Sequence, residues 1–214
     1  MLSDLQIITI CNELYNDTVT PGYWSHIFPT DGAYAAVHQE SGYDVVVWRG
    51  STTKLDFLED FASEIPVWDL YLGHCAFGFL KGMRATQPSL DAVLGQRKII
   101  VTGHSLGAAH AALYAAHLEA TGRPLAALVN FGEPRPGFER IHDLLKGVYC
   151  HSYRNRKDPV TEVPALGVSN VDLYVHSSQL IPLDVQPPPN DPWGPLQDHH
   201  ISLYIQGIQN AEST

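Results

Sequence analysis

The sequence predicts an α/β fold with a mostly parallel central sheet and helices on both faces, and three observations predict it. Strand-length apolar runs alternate with helical patterns through the second half of the chain, as βα units require. One of these junctions is the pentapeptide Gly103-His104-Ser105-Leu106-Gly107, with Lys98-Ile99-Ile100-Val101-Thr102 before it and an alanine-rich stretch from Ala108 to Glu119 after it. The chain has 214 residues, 44% hydrophobic and 17% charged, which suits one large core and a single domain over 1–214.

Each element follows from its pattern. In residues 3–16, Leu5, Ile8, Ile10, Cys11, Leu14 and Tyr15 recur near helical spacing, so an amphipathic helix is expected. Pro21-Gly22 and Pro29-Thr30-Asp31-Gly32 mark the next segment as turns. The β-rich stretches Ala33 to Gln39 and Tyr43 to Trp48 flank Glu40-Ser41-Gly42 and read as a hairpin. Residues 54–65 return to a helical pattern, with Leu55, Leu58 and Phe61 on one side as core or lid. A further helix is expected from about Ala76 to Leu94, interrupted by Gly82 and Pro88. Lys98 to Thr102 is a buried strand, Leu125 to Phe131 another, and Gly147 to Arg154 a third that ends near Asp158. Residues 165–198 are proline-rich and are expected to form a long surface loop.

Charge narrows the partners. Thirteen Lys and Arg against 23 Asp and Glu give a net charge of -10, which repels phosphate backbones and anionic headgroups, so no nucleic-acid partner is expected. Cys11, Cys75 and Cys150 are scattered, odd in number and without a CxxC pair, and read as three buried thiols. The N-terminal residues show no basic region before an apolar stretch, and no apolar run approaches the roughly 20 residues that cross a bilayer. The expectation is a soluble chain, either cytoplasmic or the processed form of a secreted one.

A serine on a tight strand-to-helix turn is a nucleophile elbow. Side chains at 103 or 107 would crowd that turn, and the first N–H groups of the helix point toward the serine. A serine hydroxyl needs an adjacent imidazole, itself oriented by a carboxylate. In α/β-hydrolases the chain order is serine, acid, histidine, and Asp158 and His199 fit it.

Four separated blocks resemble the class 3 lipase family of α/β-hydrolases, which includes the secreted fungal triacylglycerol lipases. They are Val47-Trp48-Arg49-Gly50-Ser51, the elbow, Asn130-Phe131-Gly132-Glu133-Pro134-Arg135, and Tyr153-Arg154 through Asp158-Pro159-Val160. A fifth, Asp198-His199-His200-Ile201-Ser202-Leu203-Tyr204, resembles the family's final histidine and the short helix after it. The resemblance implies the α/β-hydrolase fold, Ser105 as nucleophile, His199 as general base and then acid, and Asp158 as the orienting carboxylate. It also implies an oxyanion hole formed by the Leu106 N–H and by Ser51. His200 stays open as the alternative base, although the spacing to Tyr204 favours His199. The family's His-x-Gly-Phe before its long helix is here His74-Cys75-Ala76-Phe77-Gly78-Phe79, and the short loop after Ser51 leaves little room for an elaborate lid.

The other histidines carry blander expectations: His104 as a packing residue, His110 and His117 as half-buried polar groups on one helix face. None of the eleven histidines sits in a metal-ligand spacing, so neither a cofactor nor a metal is expected. The expected function is carboxylic ester hydrolysis of the lipase type on acylglycerols, with transient contact to a lipid interface. Phospholipase A1, thioesterase and acyltransferase activity share the mechanism, and a catalytically silent interaction protein is the alternative from another class. Leu55, Phe57, Leu58, Phe61, Ile65 to Trp68, Leu180-Ile181 and Val185 are the candidates to line an acyl groove.

Overall fold

The structure, a computed structural model, describes residues 1–16, 20–51, 65–123, 125–164 and 173–213. The helical pattern at 54–65 falls almost wholly outside them, and with it the groove candidates Leu55, Phe57, Leu58 and Phe61; residues 165–172 of the expected loop also lie outside.

Helix α1 spans Asp4–Glu13, started by a capping box in which Ser3 Oγ accepts the Gln6 N–H at 3.2 Å and the Gln6 side chain accepts the Ser3 N–H at 2.9 Å. Strand β1, His26–Thr30, lies in the segment expected to be turn-rich, where no strand was expected. Its Pro29 breaks the strand pattern in sequence, yet β1 is an edge strand, where a missing N–H is tolerated. Strands β2, Ala33–Glu40, and β3, Tyr43–Arg49, form the expected antiparallel hairpin, turned by Ser41 and Gly42 at φ 46° and 87°.

A small separate hairpin follows, β4 at Pro66–Asp69 and β5 at Gly73–Ala76, which the sequence did not reveal. Helix α2 then runs without interruption over Phe77–Val93. Pro88 is exposed, so the Arg84 carbonyl that loses its helical partner lies on the solvent side and the helix carries on. Strand β6, Lys98–His104, leads into α3, Leu106–Ala120, and then come β7, Leu125–Phe131, α4, Glu139–Leu144, and β8, Tyr149–Asn155. The expected long loop is more structured than its prolines suggested. It contributes β9, Leu180–Leu183, and a 3₁₀ turn at Gly194–His199, and buries Leu183, Val185 and Leu196. Helix α5, Ile201–Glu212, closes the described chain.

Seven strands form one sheet in the order β1-β2-β3-β6-β7-β8-β9, antiparallel as far as β3 and parallel from β3 to β9. One face packs under α2 and α3 through Trp48, Phe79, Leu90 and Val101; the other packs under α1 and α5 through Ile7, Val45, Ile100 and Phe131. Alanines let α3 sit close to the sheet, and it is buried almost all round. The carboxyl ends of β6, β7 and β8 therefore open on one edge, where ligands bind in open α/β sheets.

Candidate active site

The elbow has the geometry that its glycines imply. Ser105 is a non-glycine residue at φ 62° and ψ -135°, between the last residue of β6 and the first of α3. A Cβ on Gly103 would lie 2.3 Å from the Gly107 carbonyl oxygen, and one on Gly107 would lie 2.1 Å from that of Trp48, so neither position accepts a side chain. The strained serine is held by its N–H to the Phe131 carbonyl at 3.0 Å.

Asp158 follows β8 and is fully buried, while His199 ends the 3₁₀ turn before α5. They meet: His199 Nδ1 lies 2.6 Å from Asp158 Oδ2, and Tyr204 donates its hydroxyl to the same oxygen. The Val160 N–H donates to Asp158 Oδ1 at 2.9 Å. Burial alone would raise the Asp158 pKa, but the facing His199 and these donors outweigh it and hold the carboxyl below its ordinary range. With its Nδ1 proton committed to a carboxylate, His199 presents a lone pair at Nε2, which is buried and makes no hydrogen bond among the described residues.

Two neighbours steady the loops that carry this pair. Asn155 donates to the carbonyls of Val185 and Asp198 at 3.1 and 3.2 Å and accepts from the Val185 N–H at 2.9 Å, tying the acid segment to the histidine segment. Arg135, from the third sequence block, donates to the Glu162 and Pro164 carbonyls at 2.5 and 2.9 Å, just beyond Asp158. Gly132 matters more than its block suggested. It sits at φ 59°, and a Cβ there would lie 2.8 Å from His199 Cε1 and 2.9 Å from Asp158 Oδ2.

Ser105, His199 and Ser51 line one pocket of about 190 Å³ together with Tyr15, His104 and His200, with apolar walls from Val160, Trp193, Leu196 and Ile201. A larger hollow of about 730 Å³ around Phe138, Tyr174 and His176 contains none of them, so the chemistry selects the smaller one. Leu106 opens α3 directly after Ser105, and with Ser51, Gly50 and Arg49 it lines an adjoining hollow of about 290 Å³. His200 shares the pocket but pairs with Asp191 at 3.1 Å and packs at a tilt against the Trp193 ring, leaving Asp158 to His199.

Several expectations are corrected here. Ile65 and Trp68 are 70% and 68% exposed and do not line this pocket, and Leu180 and Ile181 belong to the edge strand β9. Val185 is buried elsewhere. His104 is more than packing, because both of its ring nitrogens are engaged, with Tyr15 and with the His199 carbonyl. His110 and His117 are buried rather than half-buried; His110 packs beside Trp48, and His117 bonds Gln87. Cys150 is partly exposed, while Cys11 and Cys75 are buried. Among the described residues no group of three or more His, Cys, Asp or Glu is arranged to hold a metal.

Residues 45–168, more than half of the chain, match the family described as Lipase (class 3). The chain belongs to the class 3 lipase family. It is 30% identical over 204 residues to phospholipase A1-II 1 of Oryza sativa subsp. indica, covering 79% of this chain and 51% of that protein. It is also 30% identical over 167 residues to the secreted mono- and diacylglycerol lipase 1 of Fusarium solani, covering 73% and 48%. This member of the class 3 lipase family thus spans about half the length of the curated relatives it matches. Its fold is also that of the Rhizomucor miehei lipase in its propeptide complex, with a TM-score of 0.70 and 25% identity over 84% of this chain and 67% of that one. No helix among the described residues is long and apolar enough to cross a membrane.

Proposed function

We propose that this class 3 lipase family member hydrolyses carboxylic esters of the acylglycerol type through an acyl-enzyme. The observation that carries the reading is the buried Asp158–His199 contact of 2.6 Å, made in the wall of the pocket that Ser105 lines. In this mechanism His199 Nε2 takes the Ser105 proton as Oγ attacks the ester carbonyl, and the imidazolium is stabilised by Asp158. The tetrahedral oxyanion is met by the Leu106 N–H and by Ser51. Collapse expels the alcohol, which takes the proton from His199; water, deprotonated by the same imidazole, then releases the acid and restores Ser105. The walls at Val160, Leu196 and Ile201 suit an acyl chain, and the proposal includes transient contact with a lipid interface for substrate entry.

The names of the relatives support two substrate readings. Partial acylglycerols are the first, and the rice protein's name makes phospholipase A1 the second. A panel of p-nitrophenyl, diacylglycerol and phosphatidylcholine esters of graded chain length tests both, with Ser105→Ala as control. Hydrolysis is expected in the wild type and a loss of at least about 1,000-fold in the variant, since only binding and oxyanion stabilisation would survive. Undiminished hydrolysis by Ser105→Ala removes the mechanism, and preferential release from phosphatidylcholine selects the second reading.

A further inference from the structure

Three segments carry the groups assigned above: the loop before Ser51, the elbow at Ser105, and the turn at His199. One chain of hydrogen bonds joins all three. The Gly50 N–H donates to the Tyr15 hydroxyl oxygen at 2.8 Å; Tyr15 lies 3.0 Å from His104 Nδ1; and His104 Nε2 lies 2.9 Å from the His199 carbonyl oxygen. Each contact falls on a catalytic residue or on the residue directly before one.

The direction of every bond follows from the acceptors. A backbone carbonyl only accepts, so His104 Nε2 carries the proton donated to His199. Burial, helped by the neighbouring His199, pushes the His104 pKa down to about 3, so the ring is neutral and Nδ1 is an acceptor. The Tyr15 hydroxyl, which already accepts from Gly50, therefore donates its one proton to Nδ1. Burial also keeps that phenol protonated by raising its pKa well above the usual value. The packing is equally tight: the rings of His104 and His199 stack with centroids 4.6 Å apart, and a Cβ on Gly50 would lie 2.7 Å from the Ser105 Cβ and 2.8 Å from the Tyr15 oxygen. Tyr15 comes just after Leu14, the residue that caps α1; the helix packs on the sheet through Ile7, Ile8 and Cys11, and Tyr15 lines the pocket.

We propose that Tyr15 and His104 form a polar brace that sets the Ser51 loop and the His199 turn against Ser105, making Tyr15 a positioning residue for the reaction. This rests on the ester-hydrolase reading above. Removing the phenol oxygen strands the Gly50 N–H and His104 Nδ1 and frees the Ser51 loop to shift. A misplacement near 1 Å costs on the order of 100-fold in rate.

Tyr15→Phe, Ser51→Ala and the double variant, assayed on a soluble short-chain p-nitrophenyl ester, test it. Tyr15→Phe is expected to lower kcat about 10- to 100-fold with KM within about threefold, because the loss falls on the transition state. If Tyr15 acts through the Ser51 loop, the double variant falls well short of the product of the single losses. Wild-type kcat in Tyr15→Phe, or fully multiplicative losses, overturns the brace. Should Tyr15→Phe fail to fold, His104→Gln and His104→Leu decide. The amide keeps a donor and an acceptor and should retain about tenfold more kcat than leucine, and equal activities overturn the proposal. Hydrogen exchange at the Gly50 amide separates the two readings, and it is expected to quicken in Tyr15→Phe. If the wild type neither hydrolyses esters nor takes a fluorophosphonate on Ser105, the hydrolase reading fails, while unchanged Gly50 exchange refutes the brace on its own.

Discussion

Tyr204 shows how much one hydroxyl can contribute beyond the serine, histidine and acid themselves. It is fully buried and donates to the Asp158 oxygen that also meets His199, so it favours the ionised carboxylate. Tyr204→Phe removes that donor and raises the Asp158 pKa toward the ordinary range. The carboxylate is then lost at a higher pH as the solution is acidified. Stability above the ordinary carboxylate range is expected to fall and its further decline on acidification to flatten, and urea midpoints measured from pH 7 to 3 read both. A midpoint unchanged at neutral pH contradicts the role. The adjacent pair His199 and His200 was ambiguous in sequence because the two are neighbours at an expected helix start. Backbone direction separates them: His199 ends a 3₁₀ turn facing Asp158, and His200 caps α5 facing Asp191.

Helix α1 depends on one carboxylate for its register on the sheet. Asp4, only 7% exposed, accepts from Tyr153 at 2.7 Å and Tyr149 at 3.2 Å, and lies 2.7 Å from His151 Nδ1. Three alternate residues of β8 thus converge on the first turn of α1, while Tyr15 just beyond its other end meets Gly50 and His104. Asp4→Ala leaves those groups without their acceptor and is expected to cost about 2–4 kcal/mol, read as a lower urea midpoint at unchanged m-value. The same helix links stability to catalysis, so the variant should also lose kcat through Tyr15. A midpoint within about 0.5 kcal/mol of wild type would show the contacts to be incidental. The sequence displayed the helix by its apolar spacing, but not this anchoring, since the partners lie 145 to 149 positions away.

Acid tolerance is a property of the whole molecule, because it sums groups on both faces of the sheet. His104 and His110 are buried and neutral, each with its pKa pushed down to about 3, chiefly by burial. In the unfolded chain both titrate near the ordinary value of about 6.5. Between about pH 6.5 and 3 the unfolded state therefore binds more protons, and stability falls as pH falls across that window. Each histidine contributes up to about 1.4 kcal/mol per pH unit at full proton difference. Urea midpoints measured from pH 7 to 4 should decline, and His110→Leu, which removes one titrating group, should flatten the decline by one proton's share. A slope unchanged in the variant would contradict the assignment. Buried Asp158 adds to the loss at lower pH, since its depressed carboxyl is stabilising above the ordinary carboxylate range and that contribution disappears as it protonates.

What the sequence determined by itself was local and periodic: apolar alternation for the β2–β3 hairpin, continuous apolar runs for β6 and β7, and an elbow whose glycines are dictated by contacts within a few residues. The resemblance also implied the order serine, acid, histidine, and the fold sets Ser105 after β6, Asp158 after β8 and His199 at the end of the 3₁₀ turn beyond β9. Only the tertiary structure decided what depends on groups meeting from distant positions. Gly132 must lack a side chain because His199 and Asp158 close over it. Glu133 is fully buried and satisfied by donors from Asn130, Ser152 and Ser177. β1 and β9 are strands despite their prolines because each lies at an edge of the sheet. A chain's own pattern encodes which of its faces is apolar. Hydrogen-bond direction and close contact at a site are set by which neighbours the fold brings there, and that is why Tyr15 and His104 read as ordinary residues until the segments at Gly50, Ser105 and His199 converge on them.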